Sequence, residues 1–353
     1  MGLGLRVGLA ITVSAAASLV MLPPASAQYD PWPRVDINGQ QDGGQQGGGS
    51  PGQITLPRGV VEAASAYEVY QRNAAAITTA FHNGEAINRA MTVGAAYQPE
   101  QMEEGLIAYT AMIALEDASF VRGVRASARG PEMAAQEADV LLADPAAVTS
   151  FPGASEAAAL AAAVLREEGG QLLAAGLAVK QSAYDVQREG WSKQIAPDQP
   201  ARLAMAKSLS SSAVIPSPGE VSHLMRTAAG FQGRRGPEEG AQAAMTPAVE
   251  RGLTLAALAV LGQADDERRL QGLWADRQAA GCMRMAKLNL YQCLAVAGPH
   301  YENIFCLGQH AMMDTGQCIA VLGGAQRIED GLSHARADRG AVEIPIADNA
   351  PRR

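Results

Sequence analysis

The chain has 353 residues and a formal net charge of −8, from 28 Lys and Arg against 36 Asp and Glu. A surface of that sign argues against nucleic acid or anionic lipid as the main partner. With 48 % hydrophobic residues and only 18 % charged, the chain as a whole is also excluded from the disordered class.

Residues 1–27 have the layout of a secretory signal: Arg6 near the start, an apolar run from Val7 to Leu22, then Pro23-Pro24-Ala25-Ser26-Ala27. Ala25 and Ala27 form the small-x-small site read by signal peptidase, so cleavage is expected before Gln28. The apolar run barely reaches the ~17 residues of a membrane span and ends in prolines, so no stable membrane insertion is expected after cleavage. The expected destination is the periplasm or the exterior, where cysteines oxidise. About 326 residues then remain, enough for one large or two modest domains.

Residues 28–58 include Gln40-Gln41-Asp42-Gly43-Gly44-Gln45-Gln46-Gly47-Gly48-Gly49-Ser50. Too little apolar surface is available there to offset the entropy of ordering the backbone, so a disordered Gly/Gln-rich linker is expected.

Helical patterns begin at Val60 and run to Phe81, and Gly84 opens a second run through Ala95. Pro99 sits where a first-turn proline belongs, with Glu100, Glu103 and Glu104 suiting the positive end of a helix dipole. Met102, Leu106, Tyr109 and Ile113 then share a face, and Ile107, Met112 and Leu115 widen it, which places this helix inside a bundle. Breaks at Gly130-Pro131, Asp144-Pro145, Phe151-Pro152-Gly153, Pro197 to Pro200 and Ser210 to Gly219 separate further helices. The longest is expected over Gln171 to Ile195, with Leu172, Val179 and Val186 on one stripe and Leu173, Leu177, Tyr184 and Trp191 on the next. Ser182, Asp185 and Glu189 are left for water. Leu253 to Leu261 is too short to span a membrane and reads as a buried helix.

The glycine-rich segment Gly230 to Gly240 is the best boundary between an N-terminal helical domain, 59–230, and a C-terminal one, 241–335. A disordered tail, 336–353, follows, and it holds the one alternating β-branched run, Val342-Glu343-Ile344-Pro345-Ile346. The fold class is therefore all-α, a multi-helix bundle. A faint internal echo links Glu104-Gly105-Leu106 to Arg251-Gly252-Leu253, although alanine-rich helices generate such echoes freely.

The strongest chemistry lies between Cys282 and Cys318, which contains all four cysteines. An even, clustered set in an oxidising compartment implies two disulfides. Cys282 and Cys293 are 11 residues apart on what reads as one helix over Asp265 to Ala297, about 16 Å along its axis, and bridged Cα atoms sit within ~7 Å. They cannot pair. Gly298-Pro299 breaks the helix, and folding back the next one, Tyr301 to Met313, sets Cys293 against Cys306 and Cys282 against Cys318. Asp314-Thr315-Gly316 is expected to end that second helix before Cys318, and a break there would also help Cys318 swing into reach, since unbroken helix would place it about a third of a turn off the Cys306 face. A metal site using these cysteines with His300 and His310 lacks the close ligand spacing zinc needs, so no metal and no cofactor is expected.

Other motifs fail on context. Gly48-Gly49-Ser50-Pro51-Gly52 matches a nucleophile elbow without its strand and helix, and Asp314-Thr315-Gly316 occurs once where aspartic protease chemistry needs two. Glu103-Glu104, Glu167-Glu168 and Asp265-Asp266-Glu267 read as helix-end carboxylates. His82, His223, His300, His310 and His334 have no carboxylate or cysteine at a spacing that fixes a metal face, although the fold could bring any of them to a nucleophile as a base, and His310 reads as packed or half-exposed beside Cys306.

Three functions follow as expectations. The first is an exported interaction or structural component of the bacterial cell envelope, with an unknown envelope protein as partner. The second is an envelope hydrolase assembled near His300, His310 and Asp314. The third is a carrier with an apolar void beside Met102, Tyr109 or Trp191.

Overall fold

A computed structural model describes residues 54, 56–196, 199–228, 245–274 and 277–327. Chain contacts divide the protein between residues 42 and 43, and every described residue lies in the second unit. The signal segment with Ala25, Ala27 and Gln28, nearly all of the Gly/Gln-rich linker, the 230–240 boundary, the tail and the Gly48–Gly52 match lie outside the described residues.

Thirteen α-helices account for nearly all regular structure among the described residues, and no strand occurs there. The fold is all-α, as composition and periodicity require. At its centre is α3 (Pro99–Ala114), which has proline in its first turn and Glu100 beside it. Met102, Leu106, Ile107, Tyr109, Met112 and Ile113 are all buried, so the helix is apolar around its circumference and needs neighbours on every side. Those neighbours are α1 (Arg58–Ala75), α6 (Ala154–Val186), α9 (Pro247–Val260) and α11 (Arg277–Val296).

Glycines set the closest approaches. A Cβ on Gly105 would lie 2.6 Å from the Ala63 carbonyl of α1, and one on Gly252 of α9 would lie 2.4 Å from Thr110 Cγ2 of α3. The Gly-Leu echo in the sequence thus marks two points where helix backbones meet. Because α9 packs on α3 and α13 (Asp314–Leu322) on α6, helices from both sides of residues 230–240 share one core.

The first helix ends earlier than the pattern suggests, at Ala75, but Phe81 in the following loop is still buried. Next, α2 (Gly84–Gly94) starts where expected, with Asn83 accepting from the Ala86 N–H at 2.9 Å. Asp117 caps α4 (Ala118–Ser127) in the same way, and Pro131 opens α5 (Pro131–Ala143).

The long helix differs most from expectation. α6 covers 33 residues from Ala154 to Val186, not Gln171 to Ile195. It runs through Gly169-Gly170 without a break because Gly169 is a packing site: a Cβ there would stand 2.4 Å from the Ala320 backbone of α13. Leu172 and Val179 are buried as the stripe requires, whereas Leu177 and Tyr184 are half-exposed, and Ser182 is buried with its hydroxyl on the Val179 carbonyl. One stripe faces the core, and the second is an outer edge.

Then come α7 (Gln199–Ser211), α8 (Pro218–Ala228), α9 and a single turn, α10 (Glu267–Leu270). A continuous helix over Asp265 to Ala297 does not form: Asp266 caps α10, a 3₁₀ turn follows, and α11 starts at Arg277. After Gly298-Pro299, α12 (His300–Cys306), a π-helical segment (Leu307–Met313) and α13 form one uninterrupted rod. Asp314-Thr315-Gly316 therefore does not stop the helix. Thr315 is buried beside Tyr97 and Gly316 against α6, where a Cβ would stand 2.6 Å from the Leu173 N, so this glycine serves close packing instead of a turn.

Candidate functional site

The antiparallel pair formed by α11 and the α12–α13 rod carries both disulfides. Cys282 joins Cys318 with Cα atoms 5.7 Å apart, and Cys293 joins Cys306 at 5.6 Å, the nested arrangement. The π segment explains how both bridges close without a helix stop. In regular α-helix the 12 residues from Cys306 to Cys318 turn about 1200°, leaving the second sulfur a third of a turn off the seam. A π segment, with its i→i+5 bonding, absorbs about one extra residue, so the effective interval is about 11 residues, the spacing of Cys282 and Cys293 on the facing helix. The Asp314 N–H donating to the Gln309 carbonyl is that i→i+5 bond.

The seam between the bridges is polar. Asp314 Oδ2 accepts from Asn289 Nδ2 of α11 at 3.1 Å and lies 2.9 Å from His310 Nδ1, and Asp314 Oδ1 accepts from Gln309 Nε2 at 3.1 Å. Burial pushes the Asp314 carboxyl up, but these hydrogen bonds and the His310 charge outweigh it and hold the group below the usual carboxylate range. Beneath it, the Thr315 hydroxyl pairs with Tyr97 at 2.8 Å. Lys287 of α11 stands 3.4 Å over the Tyr97 ring and donates to the Ala95 carbonyl at 2.8 Å, just past the end of α2. There it meets both an aromatic face and the negative pole of a helix. Burial holds its ammonium well below the ordinary lysine range.

A second buried polar centre lies among α1, α3 and α6. Glu168 accepts from Tyr109 at 2.7 Å and from Tyr67 at 2.9 Å. Burial first, and the Glu168 charge second, raise both phenols well above their ordinary range. Glu68 and Glu103 are buried as well. Glu103 and Glu168 are thus core groups, not solvated helix ends, whereas Asp266 does serve as a cap. The sequence did contain the signal: Glu168 falls four residues from both Val164 and Leu172, and Lys287 falls four after Met283 and three before Leu290, all buried.

The three residues of the hydrolase expectation are only partly brought together. His310 and Asp314 touch, but His300 opens the rod ten residues earlier, about 15 Å along the axis, buried against Trp191 with ring centroids 6.2 Å apart. The hydroxyl next in sequence to Asp314, on Thr315, is fully buried and bonded to Tyr97. Among the described residues, no group of three His, Cys, Asp or Glu is placed to hold a metal ion. For the carrier expectation, the cavity beside Met102, lined also by Tyr67, Tyr70, Tyr97 and Val214, is about 10 Å³, room for about one water. Through the Asn289–Asp314 bond the polar seam links α11 to the rod between the two bridges.

The outer face of α11 is mixed, with Arg284 and Gln292 exposed beside large apolar side chains. With its inner face packed and bridged, α11 turns Met285, Leu288 and Val296 outward at 56 %, 50 % and 81 % exposure, and these positions share one side of the helix with exposed Gln292 between Leu288 and Val296. Ile195, 65 % exposed, adjoins its C-terminal end, where it bridges Pro299. No helix among the described residues is long and apolar enough to cross a membrane. Compared with family models, curated proteins and solved structures, the chain matches none.

Proposed function

We propose that the chain is an exported structural or protein-interaction component of the bacterial cell envelope, and that the outer face of α11 is the surface it offers to an envelope protein. One observation carries this reading: three large apolar side chains, Met285, Leu288 and Val296, stand in water on the helix that two disulfides hold most firmly. Scattered exposed apolar residues need no explanation, but large ones grouped on one side of a rigid helix favour docking, since little ordering entropy remains to oppose binding. The signal-like start and the paired cysteines support export.

The test is differential capture. Tagged full-length chain and its Met285→Glu/Leu288→Glu variant are expressed in the native host, cross-linked in intact cells and recovered, and their co-purifying proteins are compared. The reading expects at least one envelope protein with the parent chain that is lost with the variant, while circular dichroism and melting temperature stay the same. Identical protein sets from the two would overturn it.

A further inference from the structure

At the edge of the second polar centre, a buried carboxylate of α1 meets α8. Glu68 is only 5 % exposed, and its Oε1 lies 3.5 Å from Arg72 Nε, one turn along α1, and 3.7 Å from His223 Nε2 of α8. Both separations are long for hydrogen bonds, and the buried Oε2 meets no donor among the described residues. Glu220 of α8 faces Glu68 with like charge, but it is engaged in capping its own helix through Ser217. On the α3 and α6 side stand Tyr109 and Glu168, which are bonded to each other. The α2 charges, Glu85 and Arg89, are exposed and pair together. Burial pushes the Glu68 carboxyl up, with Glu220 adding to the push and Arg72 opposing it.

The helix over this carboxylate is attached simply. α8 packs chiefly on α1, and the loop before it is clasped at one residue by Gln101 of α3. The Gln101 amide donates to the Val214 carbonyl at 2.6 Å and accepts from the Val214 N–H at 2.8 Å.

We propose that Glu68 and His223 form a proton-operated latch, which closes α8 onto α1 in mild acid and loosens it above neutral pH. Electrostatics give the direction. With His223 neutral, docking α8 takes the Glu68 charge out of water with only the part-exposed Arg72 to offset it. A proton on His223 sets a positive charge 3.7 Å from Oε1, and a proton on Glu68 removes the buried charge altogether. Either location favours the docked helix, so the docked pair keeps one proton to higher pH than the two groups do apart. A separated histidine titrates near pH ~6.5, so the latch is fully closed below about that pH and loosens as the pH rises through the higher value of the docked pair. With Val214 clasped, α8 opens about that end and uncovers the Glu68 face of α1.

The test is hydrogen–deuterium exchange of α8 in the full-length chain with its disulfides intact, each rate divided by the intrinsic rate at the same pH. Protection of residues 218–228 should fall by up to about tenfold between about pH 6 and about pH 8.5, the change that one unit of altered proton affinity gives, while protection of α3 stays constant. His223→Gln should abolish this dependence and leave α8 at its weak, alkaline level. Glu68→Gln should also abolish it, but leave α8 at its strong, acid level, with far-ultraviolet spectra unchanged in both variants. Opposite plateaus from the loss of either partner separate a latch from a contact that only packs. As a second readout, the His223 ring protons followed by NMR should titrate at lower pH once Glu68→Gln removes the partner. Protection that ignores pH, the same plateau from both variants, or a ring titration unmoved by Glu68→Gln would overturn the proposal.

Discussion

Helices α3 and α11 are both central to the fold, and they reach order by different means. α3 is buried on all sides from Gly105 to Ala114, packed among four other helices. α11 has only an inner stripe in the core, accommodates a buried lysine there, and is tied to its neighbour by two covalent bridges. Burial alone orders a helix at the price of its surface. Cross-linking orders one while leaving a face free, and the mixed outer face of α11 is the outcome.

The sharpest way to break this contrast is to remove the outer bridge. Its loop of 36 residues gives ~4 kcal/mol in the chain-entropy model, so Cys282→Ser/Cys318→Ser should lower the unfolding free energy in urea by about that amount. The inner bridge, closing 13 residues, should contribute ~3 kcal/mol. On α3 the matching change is Leu106→Ala, which deletes fully buried methyls. A loss of about 3 kcal/mol is expected, measured the same way.

Smaller effects sharpen the comparison. Asp314→Asn should cost about 1 kcal/mol at neutral pH, where the carboxylate accepts from Asn289, Gln309 and His310. Since the folded carboxyl titrates below its unfolded counterpart, its contribution is present above pH ~3.9 and fades as pH falls through the lower folded value. Denaturation series at several pH values should therefore show the deficit of the asparagine variant closing in acid, and a deficit that widened would contradict the assignment. Leu288→Glu, on the outer face, should change stability by less than ~0.5 kcal/mol.

Much of this architecture was legible in the residues. Pro99 and the acidic turn after it placed α3, Gly298-Pro299 placed the hairpin, and the 11-residue cysteine spacing ruled out a bridge within one helix. What stayed hidden depended on partners distant in sequence. Gly316 read locally as a stop and Gly169 fell outside the expected long helix, yet both lie within helices because each helix needs a missing Cβ to approach the other. The π segment has no local signature: it is the register shift that allows both bridges to close along one rod. Glu168 and Lys287 look like surface charges until their places on apolar stripes are counted. The outer side of α11 is still harder to see, since which face a helix buries is decided by its neighbours.

The most direct test of the account is a peptide mass map, without reductant, of the protein recovered from the envelope of the cells that make it. The account predicts a mature chain beginning at Gln28, with peptides joined through Cys282–Cys318 and Cys293–Cys306 and no thiol open to alkylation. Recovery from the cell interior with residues 1–27 attached and four alkylated cysteines would contradict it.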